Sequence, residues 1–252
     1  MPVHYLLVIP LALVCEFIDS TFGMGYGTTL TPILLLLGFE PLQVVPAVLL
    51  SEFVTGILAA SYHHSLENVN FSRNSIDRKV AAVLSSCAVV GAVASVMVAV
   101  RISPFVLKVW IGSVVLVMGI VMLATLRKRP RFSWAGIVGI GALASFNKGM
   151  SGGGYGPLVM GGQVLSGIGV KNAVGITSLS EGLTSLVGVI AYFAFARDMD
   201  WILAPWIMAG AVLSVPICAH VLKRLPETGV KLIVGFATIS LGLVTLCKTL
   251  IR

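Results

Sequence analysis

The chain has 252 residues, is 57% hydrophobic and only 11% charged, and carries a formal charge of +7. A soluble domain of this length carries about a quarter charged residues; together with a mean hydropathy of +1.01, this composition excludes a soluble globular protein and describes a polytopic membrane protein. The basic excess sits in short clusters such as "RKRPR" at 127–131, without aromatic interleaving, so it reads as orientation in a lipid bilayer rather than nucleic-acid binding.

Apolar segments run roughly over 4–37, 42–62, 79–100, 109–126, 132–147, 155–168, 173–196, 201–221 and 230–250. They are continuous and rich in Leu, Ala and Gly, which in a bilayer predicts helices rather than a barrel of alternating strands. The opening "MPVHYLLVIPLALVC" has no basic stretch and no small-x-small cleavage site, so it reads as the first membrane segment rather than a leader. That first segment exceeds one span of about 20 residues and falls short of two spans with a loop. "TFGMGYG" at 21–27 interrupts it. Segments 42–62 and 79–100 are plain spans and 109–126 is a marginal one. The pair 132–147 and 155–168 repeats the opening shape, joined by "KGMSGGGYG", and three further spans follow. His63 and His64 close the second segment and read as interfacial; Trp110, Trp134, Trp201 and Trp206 lie near segment ends, as an aromatic belt requires. Cys15, Cys87, Cys218 and Cys247 lie in apolar runs without a C-x-x-C and read as small buried hydrophobes. No metal-ligand cluster, cofactor motif or nucleophile–base set stands out.

A shift of 129 residues superposes Gly23, Gly25, Tyr26 and Gly27 on Gly152, Gly154, Tyr155 and Gly156, and Ser51-Glu52 and Thr55 on Ser180-Glu181 and Thr184. Over 17–62 against 146–191 there are 12 identities in 46 ungapped positions. The organisation that follows is a first membrane repeat at 1–126, a basic connecting loop at 127–131 and a second repeat at 132–252. The expected fold is all-α, with two homologous halves, each a glycine-broken hairpin followed by three spans. Re-entrant hairpins make the halves inverted; eight full spans make them parallel. The Lys and Arg distribution does not separate the two.

Duplication with broken helices points to a secondary transporter with its site at the repeat interface. A broken helix frees backbone N–H groups at the start of its second piece, and these with the helix dipole can seat an anion. "SGGGYG" supplies Ser151, Gly153, Gly154 and Tyr155; "GMGYGTT" supplies Gly25, Tyr26 and Thr28. Tight packing through small residues is the alternative use of such segments. Lys148 is a cation in an apolar region, where it needs a cavity or a partner. It can hold an anionic substrate with Asn147 and Ser151, or pair with Asp19, which occupies the equivalent position in the first half. Glu52 and Glu181, the repeated pair inside spans, and the weaker candidate Glu16, can carry protons or tie helix ends. Tyr26 and Tyr155 can close the site or fill the core. A channel or cation-coupled carrier for a non-anionic solute, and a membrane enzyme or assembly factor, stand as alternatives.

The openings "FIDSTFGMGYGTTLTPILLLLGF" and "SFNKGMSGGGYGPLVMGGQVLSGI", with the continuations "VVPAVLLSEFVTG" and "KNAVGITSLSEGLTS", resemble the sulfite exporter TauE/SafE family over residues 5–250. The resemblance implies a non-enzymatic, multi-pass permease of the cell (inner) membrane for sulfur-containing anions such as sulfite, sulfoacetate and related organosulfonates, without cofactor, open to proton coupling and to a homodimer. Pro32 and Pro157 stand at different distances from the shared "GYG", so the two halves are not expected to be fully equivalent.

Overall fold

The computed structural model describes residues 3–124, 133–165, 168–196, 200–221 and 227–251. They form ten helices: α1 Val3–Phe22, α2 Tyr26–Leu36, α3 Pro41–Ser65, α4 Ile76–Ala99, α5 Pro104–Ala124, α6 Trp134–Ser151, α7 Tyr155–Leu165, α8 Val170–Phe195, α9 Ala204–Val221 and α10 Glu227–Leu250. Among the described residues, four helical stretches are long and apolar enough to cross a membrane: Pro41–Ser65, Ile76–Ala99, Pro104–Val121 and Lys171–Phe195. The protein is an all-α polytopic membrane protein. The basic 127–131 connection lies outside the described residues, as do Arg197 and 222–226.

The helix ends follow local chemistry. Ser75 caps α4 by accepting from Arg78 N at 3.2 Å, with Asp77 in the first turn, and Ser133 caps α6 through Gly136 N at 3.2 Å. Pro41 opens α3, where its missing N–H costs nothing. α1 and α6 both stop at a glycine with φ of 69°, Gly23 and Gly152, a left-handed backbone that other residues resist. α2 and α7 have 11 residues each, about 16 Å, which is half a hydrocarbon core.

The two halves pack in a matched pattern. α3 lies on α8 and α5 on α10, each against its own counterpart, while α1 lies on α9 as α6 lies on α4. Gly210 of α9 sits over Ile9 and Leu13 of α1, whereas Gly141 and Gly149 of α6 sit over Cys87 and Ser95 of α4. Both pairs therefore run in the same direction along their length. At the start of α3, Lys108 Nζ lies 3.1 Å from Glu40 Oε1 and Gln43 Nε2 donates to Asp200 Oδ2 at 2.8 Å. Lys248 Nζ donates to the Leu36 carbonyl at 2.7 Å, so the ends of α2 and α10 lie close by. At the other end of α3, Val69 abuts Gly175, and Asn172 Nδ2 donates to Asp77 Oδ2 at 2.7 Å, joining the starts of α8 and α4.

The buried core centres on α2, α3 and the facing parts of α8 and α9, through Leu30, Leu34, Val45, Val48, Leu49, Tyr192, Ile207 and Ala211. The outer surface is apolar: Val90 is 75% exposed and Leu143, Ile190, Phe193 and Leu213 about 60%. In water such a surface would drive aggregation; against lipid tails it is matched.

Candidate functional site

The two breaks touch each other. A Cβ at Gly27 would overlap the Gly152 carbonyl, and one at Gly153 would lie 2.5 Å from Gly27 C and 2.6 Å from Thr28 N. The mirror contact exists too: a Cβ at Gly156 would lie 2.7 Å from the Gly23 carbonyl and 2.8 Å from Met24 Cα. Since 27 maps on 156 and 23 on 152, one contact is the other with the halves exchanged. The breaks cross about a local two-fold, and only glycine permits backbone to approach backbone this closely. Gly154 N donates to Thr28 Oγ1 at 2.8 Å across the crossing.

Lys148, at the end of α6, is fully buried beside this crossing, and it is the only buried Lys or Arg among the described residues. Its ammonium lies 2.5 Å from Glu52 Oε2 and 2.6 Å from Glu181 Oε1. The repeated glutamates of α3 and α8 thus converge on one cation. Glu52 does more: its Oε1 accepts from Gly27 N at 3.3 Å, and its Oε2 lies within 3.4 Å of Ser185 Oγ. Asp19 Oδ1 accepts from Tyr26 N at 3.2 Å. Glu16 accepts from Ser20 Oγ at 2.5 Å and contacts Thr55 Oγ1 at 3.1 Å. Two carboxylates therefore hold the ammonium, and Asp19 and Glu16 line the same small buried space beside them, where charge without a partner is costly.

The two half-helix starts differ. Asp19 and Glu52 occupy the first amides of α2, where negative charge suits the helix dipole. Among the described residues no carboxylate accepts from the first amides of α7. The reason lies in the sequence: the position equivalent to Asp19 is Lys148, which cannot accept. The α6–α7 break is braced instead by Asn147 and Ser151. Asn147 Nδ2 donates to the Gly153 carbonyl at 3.0 Å, and Ser151 Oγ bonds the Asn147 carbonyl at 2.9 Å and accepts from Gly153 N at 3.2 Å.

A family model described as "Sulfite exporter TauE/SafE" matches residues 8–245 of this chain. The chain belongs to the TauE/SafE family. A curated relative from Bacillus subtilis (strain 168), the "Probable membrane transporter protein YtnM", is 25% identical over 240 residues, covering 89% of this chain and 77% of the relative. TauE/SafE proteins are secondary transporters of small anions and not enzymes, and the apolar helices make this chain a multi-pass membrane protein.

Within this TauE/SafE chain, all candidates read from the sequence gather at the crossing, with corrections. Lys148 does not pair with Asp19; its partners are Glu52 and Glu181, because α3 and α8 bring both carboxylates to the axis while Asp19 turns to the start of α2. The amides of Tyr26 and Gly27 are not open to an outside ion, since the protein's own carboxylates, Asp19 and Glu52, fill them. Glu52 and Glu181 are ion-paired rather than lone acids. Tyr26 and Tyr155 are both fully buried; Tyr26 Oη lies 2.9 Å from Ser51 Oγ, and Tyr155 Oη faces Ser180 and Thr184. His63, in the last turn of α3, is fully buried, with Nε2 3.0 Å from the Ser20 carbonyl. Its counterpart Tyr192 donates to the Gly149 carbonyl at 3.1 Å, so each half ties down the end of its broken helix in the same way. Cys15 and Cys218 are buried, but Cys87 is half-buried and Cys247 exposed. The sequence reading missed His63, Tyr192, Ser20 and Ser185. His63 and Tyr192 are related by the same shift of 129, a signal hidden by their different chemistry.

Proposed function

We propose that this protein is a permease of the cell (inner) membrane for a small sulfur-containing anion such as sulfite or an organosulfonate (sulfoacetate, taurine-related), bound between Lys148 and the start of α7. The observation that carries this is the buried Lys148 at the end of α6, the helix that breaks into α7, a half-helix whose first amides donate to no carboxylate among the described residues. An anion there gains the α7 dipole and amides, and takes the ammonium from Glu52 and Glu181. Asn147, Ser151, Gly153, Gly154 and Tyr155 line that side, while Gly25, Tyr26 and Thr28 shape it from across the crossing. The seat is thus one-sided, although the backbone is two-fold.

The reading includes inverted repeats with hairpins entering from opposite faces. Its support is that α1 starts alongside the start of α9, near the start of α3, whereas α6 starts alongside the start of α4, at the far end of α3. Each hairpin would return to its own face through a half-length helix. Alternating access then means motion of one half against the other about the crossing.

Purified protein in proteoliposomes tests this by uptake of sulfite, sulfoacetate and taurine down an imposed gradient. At least one sulfur anion should move, and Lys148→Met should abolish the flux. Undiminished flux in that variant would remove Lys148 from the mechanism.

A further inference from the structure

A small cavity lies among the carboxyl groups, bordered by both partners of the Lys148 ammonium. Its walls include Glu16, Asp19, Glu52, Thr55, Ser178 and Glu181, and its volume is about 10 Å³. That is room for roughly one water or one alkali ion, not for a sulfonate. Glu181 is 5% exposed, and while its Oε1 holds Lys148, its Oε2 has no hydrogen-bond partner among the described residues. Ser178 Oγ donates to the Val174 carbonyl at 3.1 Å, while Thr55 Oγ1 lies 3.1 Å from both the Ser51 carbonyl and Glu16 Oε2. A hydroxyl that spends its hydrogen on a backbone carbonyl, as Ser178 does, keeps lone pairs for a cation. A buried carboxylate oxygen without a donor, the Ser178 hydroxyl and the carboxyl groups of Asp19 and Glu52 bring several oxygens to a space walled also by Gly56 and Ala59, a set that suits a hard cation and repels an anion.

We propose that this cavity binds Na+, and that Na+ is the coupling ion of the anion permease, an inference that rests on the anion reading above. The linkage runs through Glu181. Na+ on its free oxygen weakens its grip on Lys148 and releases the ammonium to the anion; the anion on Lys148 in turn frees Glu181 for Na+. Binding of either ion then favours the other by the same factor. The cluster supports this balance, since Glu16, Asp19, Glu52 and Glu181 line one small space beside a single lysine, and a bound anion adds negative charge that a further cation offsets.

The test uses the full chain in detergent at fixed pH and chloride, with Na+ replacing choline and no sulfur anion present. The unfolding midpoint should rise saturably, by roughly 5 °C at a hundredfold excess over the dissociation constant. The rise should vanish in Asp19→Asn and Glu181→Gln, persist in the rim control Glu40→Gln, and need severalfold more Na+ in Ser178→Ala, which keeps the charge and so the fold if the acid variants do not. Sulfite added as its choline salt should bind at least about fivefold tighter with Na+ present. Equal sulfite binding in both media with no Na+ effect overturns the cation site alone. No response to any sulfur anion in either medium overturns the anion reading instead. A midpoint that follows pH but ignores Na+ also overturns the proposal.

Discussion

Gly153→Ala is the sharpest probe of the crossing. The added Cβ would sit 2.5 Å from Gly27 C, 2.6 Å from Thr28 N and 2.7 Å from the Gly27 carbonyl oxygen. Comfortable contacts between such atoms are about 3.5 Å, so the two breaks must part by about 1 Å. Every clashing atom is backbone, and no side chain can rotate away. Parting them stretches the 2.8 Å bond from Gly154 N to Thr28 Oγ1 beyond use. Overpacking costs about 1–3 kcal/mol and the orphaned buried amide about as much again, a total of roughly 2–5 kcal/mol. In a chain of this size that lowers the unfolding midpoint by roughly 5–15 °C. The control is Gly139→Ala within α6, where nothing lies within 4 Å and alanine favours the helix by up to about 1 kcal/mol. The assay is thermal unfolding of both variants in one detergent, paired with sulfite flux. If Gly153→Ala melts with the parent protein and transports normally, the breaks do not cross as described.

Four further outcomes follow from the same geometry. Glu52→Gln should destabilise more than Glu181→Gln, by about 1 kcal/mol in thermal unfolding, because Glu52 also holds Gly27 N and Ser185 while Glu181 holds Lys148 alone. Tyr192→Phe should cost about 1–3 kcal/mol by orphaning the Gly149 carbonyl, checked by the same melt. Ser75→Ala should cost about 1 kcal/mol through the lost cap of α4. Lys108→Met, which breaks only the half-exposed pair with Glu40, should change stability by less than about 1 kcal/mol, and any change should fade at high salt.

The sequence by itself determined the solvent, the secondary structure and the breaks. An apolar chain in lipid must satisfy its backbone within helices, and the paired "GYG" triplets interrupt two of them where α1 gives way to α2 and α6 to α7. The duplication was also legible, as was the oddity of a lysine at Lys148. Tertiary structure alone decided who meets whom. Residues 129 apart mark equivalent places but carry no information on which of them share the axis. That Glu52 and Glu181 reach Lys148, while Asp19 turns to Tyr26 N, depends on the angle at which α3 meets α8. The same packing buries His63 against the end of α1, though its place at a segment end reads as interfacial. It also fills the amides of α2 and spares those of α7, because exchanging one aspartate for a lysine between the halves changes a hydrogen-bond acceptor into a cation while the backbone stays two-fold.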